Sequence, residues 1–340
     1  MSTFSKIRGF FSRHKNKFIV SGALLVGSVY LTKYAQQRLK EWQEKETTEF
    51  IERNRKLNHF ESIARTSNQT IANLSGALYE VISKHFNTGD IVENIKKNPE
   101  AKVELWNKLK ISVFSKTATI IYSTVMLMVT LKIQLSIIGG YLYRDPNSMS
   151  IELQEKYLSL CQKFLDNSIN KIVKLVEKEM EKLLQGIELT KRLKLSDLEA
   201  IFWSLQTSLA SHDQSPIENF KNYIINDVES TSGTHEKLLL ETADLLESDE
   251  VKSITTHCVN RSFILLGDQL AEFYNANASM DSSIGDGFQN PFNEAKPLAK
   301  LIPILNGLLS KQSFPYLLVQ NLSLNDKLST LSANIYESYL

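Results

Sequence analysis

The stretch from Ala101 to Tyr143 constrains this chain more than any other. It opens as an amphipathic turn, with Lys102, Glu104, Lys108 and Lys110 among Val103, Leu105, Trp106, Leu109 and Val113. From Thr117 to Leu131 it then runs fifteen residues without a charge before Lys132 interrupts, and Ile133 to Tyr143 resumes the apolar run. Gly139-Gly140 and Asp145-Pro146 supply breakers at its end, so the pattern predicts one helix of roughly forty residues, ~60 Å at 1.5 Å per residue. Such a helix must be either the buried axis of a large helical domain or a membrane span. Thr117, Ser123, Thr124, Thr130, Lys132, Gln134 and Ser136 give it polar partners inside a bundle, while hydropathy alone leaves a crossing at 117–143 open, as in a multipass or lipid-handling membrane protein.

The rest of the composition favours helices. Only 13 Gly and 7 Pro occur in 340 residues, with the prolines late in the chain, and 42% hydrophobic residues can build a sizeable core. The expected fold class is all-α: a single N-terminal anchor helix followed by a large, elongated bundle of long helices. Basic and acidic residues nearly cancel, 39 against 38, which removes the basic excess that nucleic-acid binding requires. Cys161 and Cys258 are far apart and match no disulfide framework or zinc spacing. The six histidines (His14, His59, His85, His212, His235, His257) include no HExxH, and no P-loop, GxSxG or GxGxxG occurs. No catalytic residue, metal site, cofactor or small-molecule substrate is expected; a tethered hydrolase would need those histidines to converge in one pocket.

In chain order, residues 1–17 form a basic tail, with Lys6, Arg8, Arg13, Lys15 and Lys17 and no acid. Residues 18–32 carry no charge and predict a membrane anchor built on Phe18, Ile19, Val20, Leu24, Leu25, Val26, Val29 and Leu31, with Lys17 and Lys33 able to snorkel. Residues 33–61 read as a charged stalk helix, supported by Glu41/Lys45, Glu49/Arg53 and Glu52/Lys56, which merges into a helical domain over 62–340. Further helices are predicted at 67–86, 91–97, 151–185, 196–211 (with a Ser196/Glu199 capping box), from Pro216, at 238–246, 251–276, 298–309 and 325–339. Turns are placed at 230–234 and 277–293, and Pro303 predicts a kink or break between Lys300 and Asn306.

Several blocks together resemble the peroxisomal biogenesis factor 3 family: RHKNK at Arg13–Lys17, YLTKYAQQRLKEWQEKE from Tyr30, HFESIARTSNQT from His59, LWNKLKI from Leu105, YSTVMLMVTLKIQLSIIGGYLYRD from Tyr122, HCVNRSF from His257 and PLAKLIPILNG from Pro297. They span nearly the whole chain. The resemblance implies a docking receptor in the peroxisomal membrane, needed for insertion of peroxisomal membrane proteins. Its partners would be membrane lipids and the N-terminal helix of the soluble receptor, peroxisomal biogenesis factor 19, held in a hydrophobic groove. It implies that Trp106 anchors the groove, with Ile95 and Leu109 as apolar neighbours and Pro297 and Lys300 from the late segment. On its spacing alone Trp106 suits a core position as well as an interface. The resemblance also implies a buried central helix at 117–143. It puts the N-terminal tail in the matrix and the large domain in the cytosol, whereas the positive charge of residues 6–17 alone would put the tail in the cytosol. Asn-x-Ser/Thr tripeptides at Asn68, Asn73, Asn260, Asn277 and Asn321 would matter only on the lumenal side.

Overall fold

A computed structural model describes residues 3–225, 233–275, 294–310 and 313–340, with residues 3–36, 275 and 310 described by backbone alone. Among them the chain is helical almost throughout, so the all-α class holds. The chain divides into two compact units, Met1–His59 and Phe60–Leu340. Helix α1 (Thr3–Phe86) runs through both. Its continuity has a plain cause: between Lys33 and Phe86 there is no proline and the only glycine is Gly76. The stalk and the helix at 67–86 are therefore one element.

In the first unit the described residues of α1 are mostly exposed, Trp42 and Phe50 among them, with Asn54, Lys56 and His59 half-buried. The expected acid-first pairs are replaced by others: Arg38 pairs with Glu41, Lys40 with Glu44 and Lys45 with Glu49, at 3.8 to 3.9 Å. Exposed pairs of this kind add only a few tenths of a kcal/mol, so rotamer freedom decides among them. The anchor residues Phe18, Ile19, Val20, Leu24, Leu25, Val26, Val29 and Leu31 have side chains outside the described residues.

The second unit is built around α3 (Lys102–Arg144). Helices α2 (Thr88–Lys97), α5 (Ile169–Leu184), α9 (Asp249–Asn275), α10 (Leu298–Ser310) and α12 (Asp326–Ser338) pack against it, joined by α4 (Ile151–Lys163), α8 (Thr234–Glu247) and α11 (Ser313–Ser323). The stretch of α3 that is apolar and long enough to cross a membrane is buried entirely by these neighbours. Its apolar surface already has partners, so it serves as a core axis. Some of its polar residues are satisfied locally or by neighbours: Thr117 and Thr130 donate to carbonyls four residues back, and Gln134 donates to the Tyr157 carbonyl at 2.6 Å and accepts from Cys161, whereas the hydroxyls of Ser115, Thr119 and Ser123 are buried without a hydrogen-bond partner. Gly139 and Gly140 do not break the helix. They lie inside it where α1 and α12 approach so closely that a Cβ at either would collide, at 2.1 Å with Ile63 and at 2.5 Å with Tyr339.

Other boundaries differ from expectation. The helix predicted over 151–185 contains a π-turn, Phe164–Ser168, that separates α4 from α5. One wider turn resets the register so that Phe164, Leu165, Ile169 and Ile172 are all buried. Helix α6 (Leu195–Ala210) is capped two residues earlier than predicted, the Lys194 N–H donating to the Asp197 carboxylate at 2.8 Å, and Ser196/Glu199 is not the box. Pro216 lies in a series of turns, and the next helix is the short α7 (Phe220–Ile224). Pro303 sits inside α10 without ending it, and α11, with Pro315 inside it, was not anticipated. Two residue pairs form a small antiparallel ladder, β1 (Arg192–Leu193) with β2 (Lys296–Pro297). The loop at 277–293 and most of the turn at 230–234 lie outside the described residues.

Candidate functional site

Asn87 starts the geometry of the site. It is the single residue between α1 and α2 and takes the left-handed conformation at φ 35°, which asparagine tolerates better than most side chains. The chain thereby reverses within one residue, and α2 folds back with Thr88 and Ile91 buried. Asn98-Pro99 ends α2, because the residue before proline is pushed out of the helical region and proline cannot donate the next hydrogen bond. The Leu105 N–H then bonds the Ala101 carbonyl at 3.0 Å and α3 begins. Helix α10 packs on the same end of α3.

Where the three helices meet they leave an open groove of about 550 Å³. Helix α2 contributes Val92, Ile95 and Lys96; Pro99 closes one end; α3 contributes Lys102, Trp106 and Leu109; α10 contributes Pro303, Asn306 and Gly307. The contributions from α3 fall at i, i+4 and i+7 and those from α10 at i, i+3 and i+4, the spacings that put side chains on one helix face. Leu109 is buried and forms the floor, whereas Trp106 and Ile95 are half-buried, packed on the core from one side and open on the other. Lys96 and Lys102 are exposed at the rim. At Gly307 a Cβ would meet nothing within 4 Å, so the absent side chain is part of the opening.

Three of the five groove residues named from the sequence thus come together: Trp106, Ile95 and Leu109. Pro297 and Lys300 do not line it. Pro297 is held in the β1–β2 ladder opposite Arg192, and Lys300 is exposed on α10 one turn before Pro303. The α10 face that does line the groove begins at Pro303. The spacing Pro303, Asn306, Gly307, which pairs a proline with a small residue on one face, was the available signal.

Two other concavities differ in character. One of about 570 Å³ is lined mostly by polar and charged residues, Lys174, Lys178, His212 and Asp213 among them. One of about 350 Å³ lies between α6 and α9, lined by Phe202, Trp203, Phe263 and Ile264 among others, with Trp203 67% exposed. Among the described residues no group of three or more His, Cys, Asp or Glu side chains could hold a metal ion. His257 stands 3.5 Å from the Lys327 ammonium, while its neighbour Cys258 is fully buried and desolvation pushes that thiol up to about 12. A nucleophilic cysteine requires the opposite shift.

The model of the peroxin-3 family matches residues 9–101 and 94–145. Peroxisomal biogenesis factor 3 of Rattus norvegicus is 33% identical over 358 residues, covering 97% of this chain and 96% of its own. Its Homo sapiens counterpart is 32% identical with the same coverage. Peroxisome biogenesis protein 3-2 of Arabidopsis thaliana is 24% identical over 87% of this chain and 88% of its own.

Proposed function

Because the chain belongs to the peroxin-3 family, we propose that it is a membrane-anchored, non-catalytic docking receptor of peroxisome biogenesis that binds peroxisomal biogenesis factor 19 through an amphipathic helix laid in the Trp106 groove. The family supports the role in peroxisome biogenesis and residence at the peroxisomal membrane. The groove supports the mode of binding. The observation that carries it is the half-open Trp106 at the junction of α2, α3 and α10: an indole seated on the core yet facing an apolar concavity is the form of an interface anchor, since it buries much area at small entropic cost. The exposed lysines 96 and 102 on the rim favour a partner helix with carboxylates flanking its apolar stripe. The anchor at 18–32 would hold the chain in the peroxisomal membrane together with its lipids, with the tail in the matrix and the unit carrying the groove in the cytosol.

The test compares two tryptophans by titrating the full chain, in detergent, with the partner's N-terminal helix. Trp106→Ala is expected to weaken binding by at least ~2 kcal/mol, about thirtyfold, as loss of an interface hot spot does. Gly307→Leu is expected to weaken it while leaving the melting temperature in place, because the new side chain projects into open groove. Trp203→Ala, in the α6–α9 concavity, is expected to change nothing. Unchanged affinity in Trp106→Ala, or a loss confined to Trp203→Ala, would move the docking site away from this groove.

A further inference from the structure

Lys132 is the charge that interrupts the apolar run of α3, and it is only 4% exposed. Among the described residues it forms neither a hydrogen bond nor an ion pair, and burial lowers its tendency to hold a proton with no carboxylate to oppose that. Its surroundings are not apolar throughout. A cavity of about 40 Å³ beside it, among α1, α3 and α12, is lined by Ser67, Ser136, Ser329 and Ser332 and closed by Phe60, Ile63, Ala64 and Leu135. Ser67 is 2% exposed and Ser332 6%, and the hydroxyl of each is buried without a hydrogen-bond partner. Ser329 is exposed and marks the way in.

Two orphaned hydroxyls and an ammonium without a counter-charge therefore converge on one small space. An ammonium largely removed from water favours a counter-charge, and an orphaned hydroxyl favours any acceptor that enters beside it. We propose that this cavity is a binding site for a monoatomic anion, chloride under ordinary conditions, held by the Lys132 ammonium and by hydroxyl donation from Ser67 and Ser332. The size decides the class: about 40 Å³ accommodates a particle of one or two water volumes and excludes phosphate esters and carboxylate side chains. The anion would lock α12 against α1 and α3, since one serine comes from each flanking helix and the lysine from the axis.

The experiment uses the full chain in a non-ionic detergent, with sodium gluconate replaced stepwise by chloride or bromide at constant ionic strength. The melting temperature should rise with either halide and saturate, because a ligand bound only by the folded state stabilises it by mass action. Lys132→Met should melt at a temperature independent of halide. Should that variant fail to fold, Ser67→Ala and Ser332→Ala carry the test, each raising the half-saturating halide concentration at least about tenfold, as loss of a hydrogen bond to a charged group predicts. The proposal is overturned if wild type shows no halide dependence, which would mean that water fills the cavity. It is equally overturned if the dependence survives unchanged in Lys132→Met or in both serine variants.

Discussion

Replacing Gly140 with alanine should destabilise the second unit, although alanine is the better helix former. In an exposed helix the change gains ~1 kcal/mol, because glycine loses more backbone freedom on folding. At Gly140 the new Cβ would stand 2.5 Å from Tyr339 Cβ and 3.0 Å from the Tyr336 carbonyl oxygen. Carbon atoms pack at ~3.5–4.0 Å, so α12 would have to retreat by about 1 Å. Neither atom sits at the end of a flexible side chain, so no rotamer change relieves the contact, and the cost falls at the upper end of the ~1–3 kcal/mol typical of overpacking. The net loss is then about 2 kcal/mol. The internal control is Gly76→Ala in α1, where a Cβ meets nothing within 4 Å and the full propensity gain remains. The two variants should differ by about 3 kcal/mol, roughly 6 °C at ~2 °C per kcal/mol for a domain of this size. Thermal melts of both in the same detergent measure it. If Gly140→Ala melts within a degree of Gly76→Ala, the close approach of α3 and α12 is not as described.

Two more outcomes follow from the buried ionisable groups. Lys110 is 4% exposed and its ammonium donates to the carbonyls of Leu184 and Ile187, at 3.1 and 2.8 Å, closing the C-terminal end of α5. Lys110→Met should cost ~2–4 kcal/mol in denaturant unfolding with an unchanged slope, since two charge-assisted bonds go and two carbonyls are stranded. Cys161 and Cys258 are fully buried or nearly so, and burial pushes each thiol from the ordinary 9 up to about 12. The unfolded thiols ionise above about pH 9 while the folded ones stay protonated, so their contribution to stability declines as pH rises from there. A thiol reagent at pH about 8 should label neither cysteine until the chain unfolds, and Cys161→Ala should flatten the alkaline decline in melting temperature. Rapid labelling of the native chain would contradict the burial of both.

What the sequence made legible was what depends on local periodicity and composition. The length of α3 follows from a run without breakers, whereas its burial was compatible with the scattered polar residues but implied only by the family resemblance. The membrane alternative for that helix failed on something no window of hydropathy contains, the neighbours that cover it. The same limit explains the misread glycines. Gly139 and Gly140 look like a terminator because glycine is a poor helix former, but their reason is the nearness of Ile63 and Tyr339, residues some eighty positions before Gly139 and two hundred after Gly140. The π-turn at Phe164–Ser168 is similarly invisible, since a one-residue shift in register leaves both halves of the apolar pattern intact.

The groove divides along the same line. Trp106, Leu109 and Ile95 were named through the family resemblance and not from spacing, and they come together because the segment Ile91 to Val113 carries its own geometry: a short helix, a proline stop and a return. The third wall comes from α10, almost two hundred residues later, and there a motif can place the right helix without fixing which face turns inward. Pro297 and Lys300 precede the lining face by one or two turns; Pro297 is drawn off by Arg192 into the β1–β2 ladder, and the face is set by the packing of α10 against α3. A partner helix therefore reads a surface made by two distant segments, and its affinity should report the α3–α10 packing as well as the residues it touches. A substitution that loosens that packing behind the groove, such as Leu305→Ala at a position 2% exposed, would weaken docking without altering a single contact residue.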